Sequence, residues 1–173
     1  MTTKGTSVPA GFSPSGLCAL SETFQARLAR RELRRYWYVR TGQLLPDADD
    51  ADRPGVIVLG LADAPSPGFE QEAAAARALG PESAVIRTRK DDHATRLVIM
   101  GADPAGLLYG AYRLCEHWGV YFHLHGDSLP DAPLNACPLV DEDHQPLFAT
   151  RGLHPFHNFP EGPDGWSTPA YRQ

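Results

Sequence analysis

The stretch ATRLVIMGADPAGLLYGAYRLCEHWG, residues 94–119, constrains the fold more than any other part of this chain. Its first half is a continuous apolar run with β-branched side chains, which predicts a buried strand. The run breaks at Gly101, and Asp103 followed by Pro104 is a helix start: an acceptor for the free N–H groups of the first turn, then a residue whose missing N–H costs nothing there. Leu107, Leu108, Ala111, Leu114, Cys115 and Trp118 recur at helical spacing, and Gly119 supplies the stop. A strand that feeds directly into a helix with one apolar stripe calls for a layered α/β arrangement, because neither element buries its face alone.

The remaining elements extend that arrangement. From Ser21 to Gly42 neither Pro nor Gly interrupts SETFQARLARRELRRYWYVRTG, which predicts a long helix capped by Ser21 and ended by Gly42, with Phe24, Leu28, Leu33, Tyr36, Trp37 and Val39 as its buried stripe. The acidic PDADDADRP reads as a loop, GVIVLGLAD as a buried strand, and FEQEAAAARAL as a short helix closed by Gly80. ESAVIRTRK and ATRLVIMGA are two strands joined by the short DDH turn. VYFHLHGDSLPD reads as a further strand. The order predicts a small mixed sheet with two long helices packed on one face, an α/β fold.

The expected domain organisation is a flexible leader over 1–19, rich in Gly, Ser, Thr and Pro, an α/β domain over 20–130, and a Pro-rich structureless linker over 131–146. Residues 147–173 begin as a new strand whose partners are missing. Net charge is −5, so no general basic face exists for phosphate. The six arginines between residues 27 and 40, interleaved with Tyr36, Trp37 and Tyr38, read as a solvated helix face with Arg stems lying over apolar surface. Cys18, Cys115 and Cys137 lack a C-x-x-C spacing and read as reduced, partly buried thiols. No signal-like apolar run opens the chain and no stretch is long and apolar enough to span a bilayer, so a cytoplasmic protein without nucleic-acid or membrane partners is expected.

Residues 97–130, LVIMGADPAGLLYGAYRLCEHWGVYFHLHGDSLP, carry a resemblance. A strand ending in Gly101, then Asp103, a Gly-x-x-Tyr-Gly helix with Gly106, Leu108, Tyr109, Gly110 and Leu114, then Gly119 and Pro130, resembles the N-terminal non-catalytic domain of large glycoside hydrolases. That domain precedes the catalytic barrel in family 20 β-hexosaminidases and in α-glucuronidases. Pro146, Phe148, Arg151 and Gly152 stand where such enzymes enter the first strand of a (β/α)8 barrel. The resemblance covers roughly residues 20–166 and implies an accessory domain running into the first strand and loop of a truncated barrel.

The resemblance also implies what chemistry to expect. Glycoside hydrolysis needs two carboxyl groups, or one acid and a substrate acetamido group. The family's Asp-Glu pair lies on a later barrel strand, so no catalytic residue, cofactor or metal is expected here and the chain is expected to be inactive alone. The acids of DEDH, residues 141–144, precede the barrel and read as solvated loop charges. In an intact parent the implied substrate-binding residues are Arg151, suited to sugar hydroxyls or a uronate carboxylate, with His154, His157, Glu161, Asp164 and Trp166 on the first top loop. The partners expected are carbohydrate, reached through the barrel, and the barrel itself. Two alternatives come from other classes. One is a stand-alone carbohydrate-binding or interaction module, against which Tyr109, Tyr112 and Trp118 sit at core-like helical spacing. The other is a metal site built from His123, His125, His154 and His157, for which no Cys or carboxylate completes a familiar spacing.

Overall fold

The structure is a computed structural model that describes residues 11–90, 94–123 and 126–152. A five-stranded mixed sheet lies between two helical layers. In chain order the elements are β1 (Gly11–Phe12), β2 (Gly16–Ala19), α1 (Phe24–Thr41), β3 (Val56–Leu61), α2 (Glu70–Leu79), β4 (Ala84–Lys90), β5 (Thr95–Gly101), α3 (Pro104–His117), β6 (Cys137–Pro138) and β7 (Asp141–His144). The sheet order is β2-β3-β5-β4-β7, with β2, β3 and β5 parallel and β4 antiparallel to both of its neighbours.

Alternation along the central strands divides the interior in two. Ile57, Leu59, Leu97 and Ile99 pack beneath α1 and α3, whereas Val56, Val58, Val98 and Met100 face α2. Strands covered on both faces read as continuous apolar runs, which is why VIVLGL and LVIMG show no polar alternation. Trp37 of α1 and Trp118, just after α3, meet edge to face at 5.3 Å and join the two long helices. The expected pair of helices on one face is present, and α2 covers the other with Phe69, Ala73 and Ala76.

Helix α3 starts as its sequence requires: the Asp103 side chain accepts from the Gly106 N–H at 2.8 Å and also from the Glu82 N–H at 2.7 Å. Helix α1 is capped two residues later than expected. Thr23 accepts from the Ala26 N–H, and Ser21 instead accepts from the Thr23 N–H. The buried stripe of α1 also differs: Ala26, Ala29, Glu32, Leu33, Tyr36, Trp37 and Arg40 are inside, while Phe24 and Val39 are exposed. Ala26 and Ala29 are buried beside Leu33, Tyr36 and Trp37, while Phe24, Tyr38 and Val39 fall on the far side.

Four expectations about the segments flanking the central elements require correction. Residues 16–19, assigned to a loose leader, form β2 and pair in parallel with β3, with Leu17 and Cys18 buried. The segment 131–146, expected to be structureless, contributes β6, paired with β1, and β7, which completes the sheet edge beside β4. The strand expected after Gly119 is reduced, among the described residues, to one bridge between Tyr121 and Ser128. Residues 145–152 form neither strand nor helix, so the strand expected from Leu147 is absent there. A strand needs a partner ladder, and nothing described offers one to this segment.

Candidate functional site

Residues 144–151 cross the outward face of α3 and enclose with it a cleft of about 520 Å3. Its helical wall is Tyr109, Tyr112, Arg113 and Glu116, spaced so that all four share one face; the opposite wall includes His144, Pro146, Leu147, Phe148 and Arg151. Arg113 anchors the floor. Its Nε donates to Glu142 Oε1 and its Nη1 to Glu116 Oε2, each at 2.7 Å, and His117 Nε2 lies 2.6 Å from Glu142 Oε2. Burial pushes the Glu142 carboxyl up, but hydrogen bonds from Arg113 and His117 outweigh it and hold the group below the ordinary glutamate value.

Asp141 and Asp143 of DEDH are exposed, in keeping with the expected solvated charges, but the segment is a strand and not a loop, and that part of the expectation is corrected. The acids form β7, and each carboxylate has a cation: Arg87 of β4 pairs with Asp141 at 3.0 Å and with Asp143, while Arg113 and His117 take Glu142. An acidic strand has no apolar period by which to be recognised. The available signal was Arg87 on β4, which presents a basic group to the neighbouring edge strand, whereas Arg89, two residues on, is taken by Glu72 of α2.

Arg151, the residue expected to bind sugar, is held at the rim of this cleft. Its guanidinium donates to Glu82 and to the Phe148 carbonyl and stands 5.8 Å from the Tyr109 ring centre. The Glu82 hydrogen bond is the main cause of an upward shift in its already high pKa. His154, His157, Glu161, Asp164 and Trp166 lie outside the described residues, as does His125. Among the described residues no group of three or more His, Cys, Asp and Glu is arranged to hold a metal, and no helix is long and apolar enough to cross a membrane.

A second cleft, of about 370 Å3, opens between α1 and α3 beside the first. Tyr112 and Tyr36 each meet Phe122 edge to face, at 5.0 and 5.5 Å. The Tyr36 hydroxyl donates to Asp127, and burial, reinforced by that bond, pushes its pKa up. Glu32, buried beneath, is paired with Arg31 at 3.1 Å and Arg35 at 3.5 Å. Sequence reasoning did not single out Glu32 or Asp127, because their partners come from neighbouring turns or from 91 positions away.

The residues of the Gly-x-x-Tyr-Gly helix have a structural role in this geometry. Cβ atoms at Gly101, Gly106 and Gly110 would stand 2.3 Å from Leu107 N, 2.1 Å from Ser83 O and 2.8 Å from Ala84 and Ile99 side-chain atoms, respectively. A sequence profile described as glycosyl hydrolase family 67 N-terminus matches residues 9–114, which takes in β1 through most of α3. The chain belongs to this family. It is thus an N-terminal accessory domain of glycoside hydrolases by family, with the predicted α/β architecture. Among solved structures, a GH20 β-N-acetylhexosaminidase from Streptomyces coelicolor A3(2) is 19% identical with a TM-score of 0.48, over 82% of this chain and 25% of that one. BtGH115A, a 4-O-methyl-α-glucuronidase with specificity for decorated arabinogalactans, is 24% identical with a TM-score of 0.47, over 66% of this chain and 14% of that one. A GH138 enzyme targeting pectin rhamnogalacturonan II is 17% identical with a TM-score of 0.39, over 58% of this chain and 10% of that one. The chain therefore spans between a tenth and a quarter of these proteins. No curated protein sequence matches it.

Proposed function

We propose that this chain packs against and stabilises the catalytic barrel of a glycosidase of the α-glucuronidase or hexosaminidase type and does no hydrolysis itself. The family match over residues 9–114 carries this reading, since it identifies β1 through most of α3 as the N-terminus of a glycosyl hydrolase family. The cleft chemistry supports it. Glu82, Glu116 and Glu142 at or beside the larger cleft are each engaged by an arginine of this same domain, Arg151 or Arg113, so none of them stands as a free carboxyl opposite a second one, as glycoside hydrolysis needs. On this reading residues 147–173 lead into the barrel, and Arg151 with His154, His157, Glu161, Asp164 and Trp166 contacts sugar only once the barrel is assembled. Purified 173-residue chain is expected to release no nitrophenol from nitrophenyl β-N-acetylglucosaminide and no uronate from an aldobiouronic acid. Turnover of either that survives repurification would overturn the proposal.

A further inference from the structure

The exposed apolar surface is distributed unevenly. Every exposed large hydrophobic side chain among the described residues lies on α1, on α3, or on the segments that follow α1, α3 and β7; α2 and its layer carry none. Phe24 is 67% exposed on α1, and Leu147 and Phe148 are 91% and 69% exposed where the chain crosses α3. Isolated exposed apolar groups are ordinary, but a one-sided set along two adjacent helices is the mark of a covered face.

One cleft, walled by Glu70 and Gln71 of α2 with Gly68, Arg89, Lys90 and Arg96, has no apolar side chain in its lining; three others fall on the side of the exposed apolar groups. These open on the outward surface of the α1–α3 layer, and Tyr112 lines all of them, so they form one furrow with that ring at its centre. Arg27, Arg31 and Arg35, each four residues apart and all exposed, edge the furrow along α1 in a chain whose net charge is −5. An apolar, aromatic floor with a charged rim is the anatomy of a protein–protein contact surface.

The course of the chain identifies what covers this face. The described polypeptide reaches Gly152 there, with Arg151 held over Tyr109 and with Leu147 and Phe148 lining the furrow. Residues 146–151, ending one short of the last described residue, run along the α1–α3 layer, whereas the α2 layer lies across the sheet from it. We infer that the outward face of α1 and α3, centred on Tyr112, is the seat of the catalytic domain, whose contacting surface is apolar with carboxylates opposite Arg27, Arg31 and Arg35. This rests on the proposed reading of the chain as the accessory domain of a glycosidase.

Thiol labelling tests the seat. Cys18, Cys115 and Cys137 are buried, and burial raises their pKa values, that of Cys137 to about 12, so the native background is slow. Arg27→Cys and Tyr109→Cys place a reactive thiol on the furrow, and Gln71→Cys places one on α2. Each is made in the 173-residue chain and in the longer polypeptide read from the same gene, and maleimide labelling rates are compared alongside glycosidase activity. We expect the two furrow thiols to label at least tenfold more slowly in the active longer polypeptide, with the Gln71→Cys rate unchanged. An active longer polypeptide in which the furrow thiols stay fully reactive, or in which Gln71→Cys is the protected site, would sink the inference and leave the functional reading standing. Absence of a longer reading frame, or of glycosidase activity in it, would remove both. Furrow thiols already protected in a 173-residue chain that sediments as a dimer would assign the face to a second copy and overturn the inference.

Discussion

Gly106 has no room for a side chain. A Cβ there would meet only main-chain atoms, Ser83 O at 2.1 Å and Ser83 C and N at 2.9 Å, and a backbone wall cannot rotate away as a side chain can. Gly106→Ala is therefore expected to push α3 off the sheet at a cost of about 3 kcal/mol, the upper range for overpacking. Asp103 acts on the same junction by a different route. Its two carboxylate oxygens accept from Gly106 N–H in the first turn of α3 and from Glu82 N–H in the turn before β4, where Glu82 holds a φ of 59°. Asp103→Ala loses both bonds, for about 2 kcal/mol, and Asp103→Asn keeps one acceptor and loses about half as much. Urea titration checks both, as a lower midpoint at unchanged m. A midpoint for Gly106→Ala within a few tenths of a molar of the parent would show that α3 does not sit as close as described. These two residues were legible in the sequence as a family pattern; the distances show that the pattern encodes a close helix-on-sheet contact.

At the scale of elements, the part of the fold that the sequence disclosed is the part whose burial is periodic. Strands β3 and β5 and helix α3 are covered on broad faces, so their apolar residues recur at readable intervals. Both sheet edges were missed for a common reason. Strand β2 is four residues long, too short for any period, and β7 is Asp-Glu-Asp-His, held by charge pairing and by the β4 ladder. The attachment of β7 should therefore depend on acid. Glu142 has its pKa lowered from the ordinary 4.5, so its contribution is fully present above that value and lost as pH falls through the lower folded value. Hydrogen exchange in the 141–144 segment is expected to accelerate below about pH 4.5 before the β3–β5 core opens. Glu142→Gln should loosen this strand at neutral pH by about 1 kcal/mol and flatten its acid dependence, because Arg113 loses its ionic partner and His117 its carboxylate hydrogen-bond partner. An acid limb of the same steepness in Glu142→Gln would show that Glu142 is not its source.

For the whole molecule, the question is how a sheet completed by residue 144 holds together when the described residues between Trp118 and Val140 offer only the Tyr121–Ser128 bridge and the two-residue β6. Arg40 supplies the pin. Only 8% exposed at the end of α1, it donates from Nε to the Trp118 carbonyl at 2.8 Å and from Nη1 to the Pro130 carbonyl at 2.7 Å, while its own carbonyl accepts from Leu134 N–H at 2.9 Å. One side chain thus fixes the exit from α3 and the return of the chain towards β6 and β7. Pro130 in turn closes over Gly119, whose φ of 85° turns the chain out of α3, and a Cβ there would lie 2.9 Å from the proline ring. Arg40→Met keeps the apolar stem but leaves two carbonyls facing no donor, at an expected cost of about 3 kcal/mol. For a protein of this size that lowers Tm by about 10 °C. Arg40→Lys can reach only one of the two carbonyls and should fall between the parent and Arg40→Met. The Trp37–Trp118 contact gives the second readout, because the exit from α3 and the packing of α1 on α3 share Trp118. If Arg40 joins the return segment to the core, tryptophan fluorescence and far-ultraviolet circular dichroism will shift to lower temperature together. Loss of the tryptophan signal well before the helical signal would show instead that the 118–140 segment detaches on its own and that Arg40 serves only that segment.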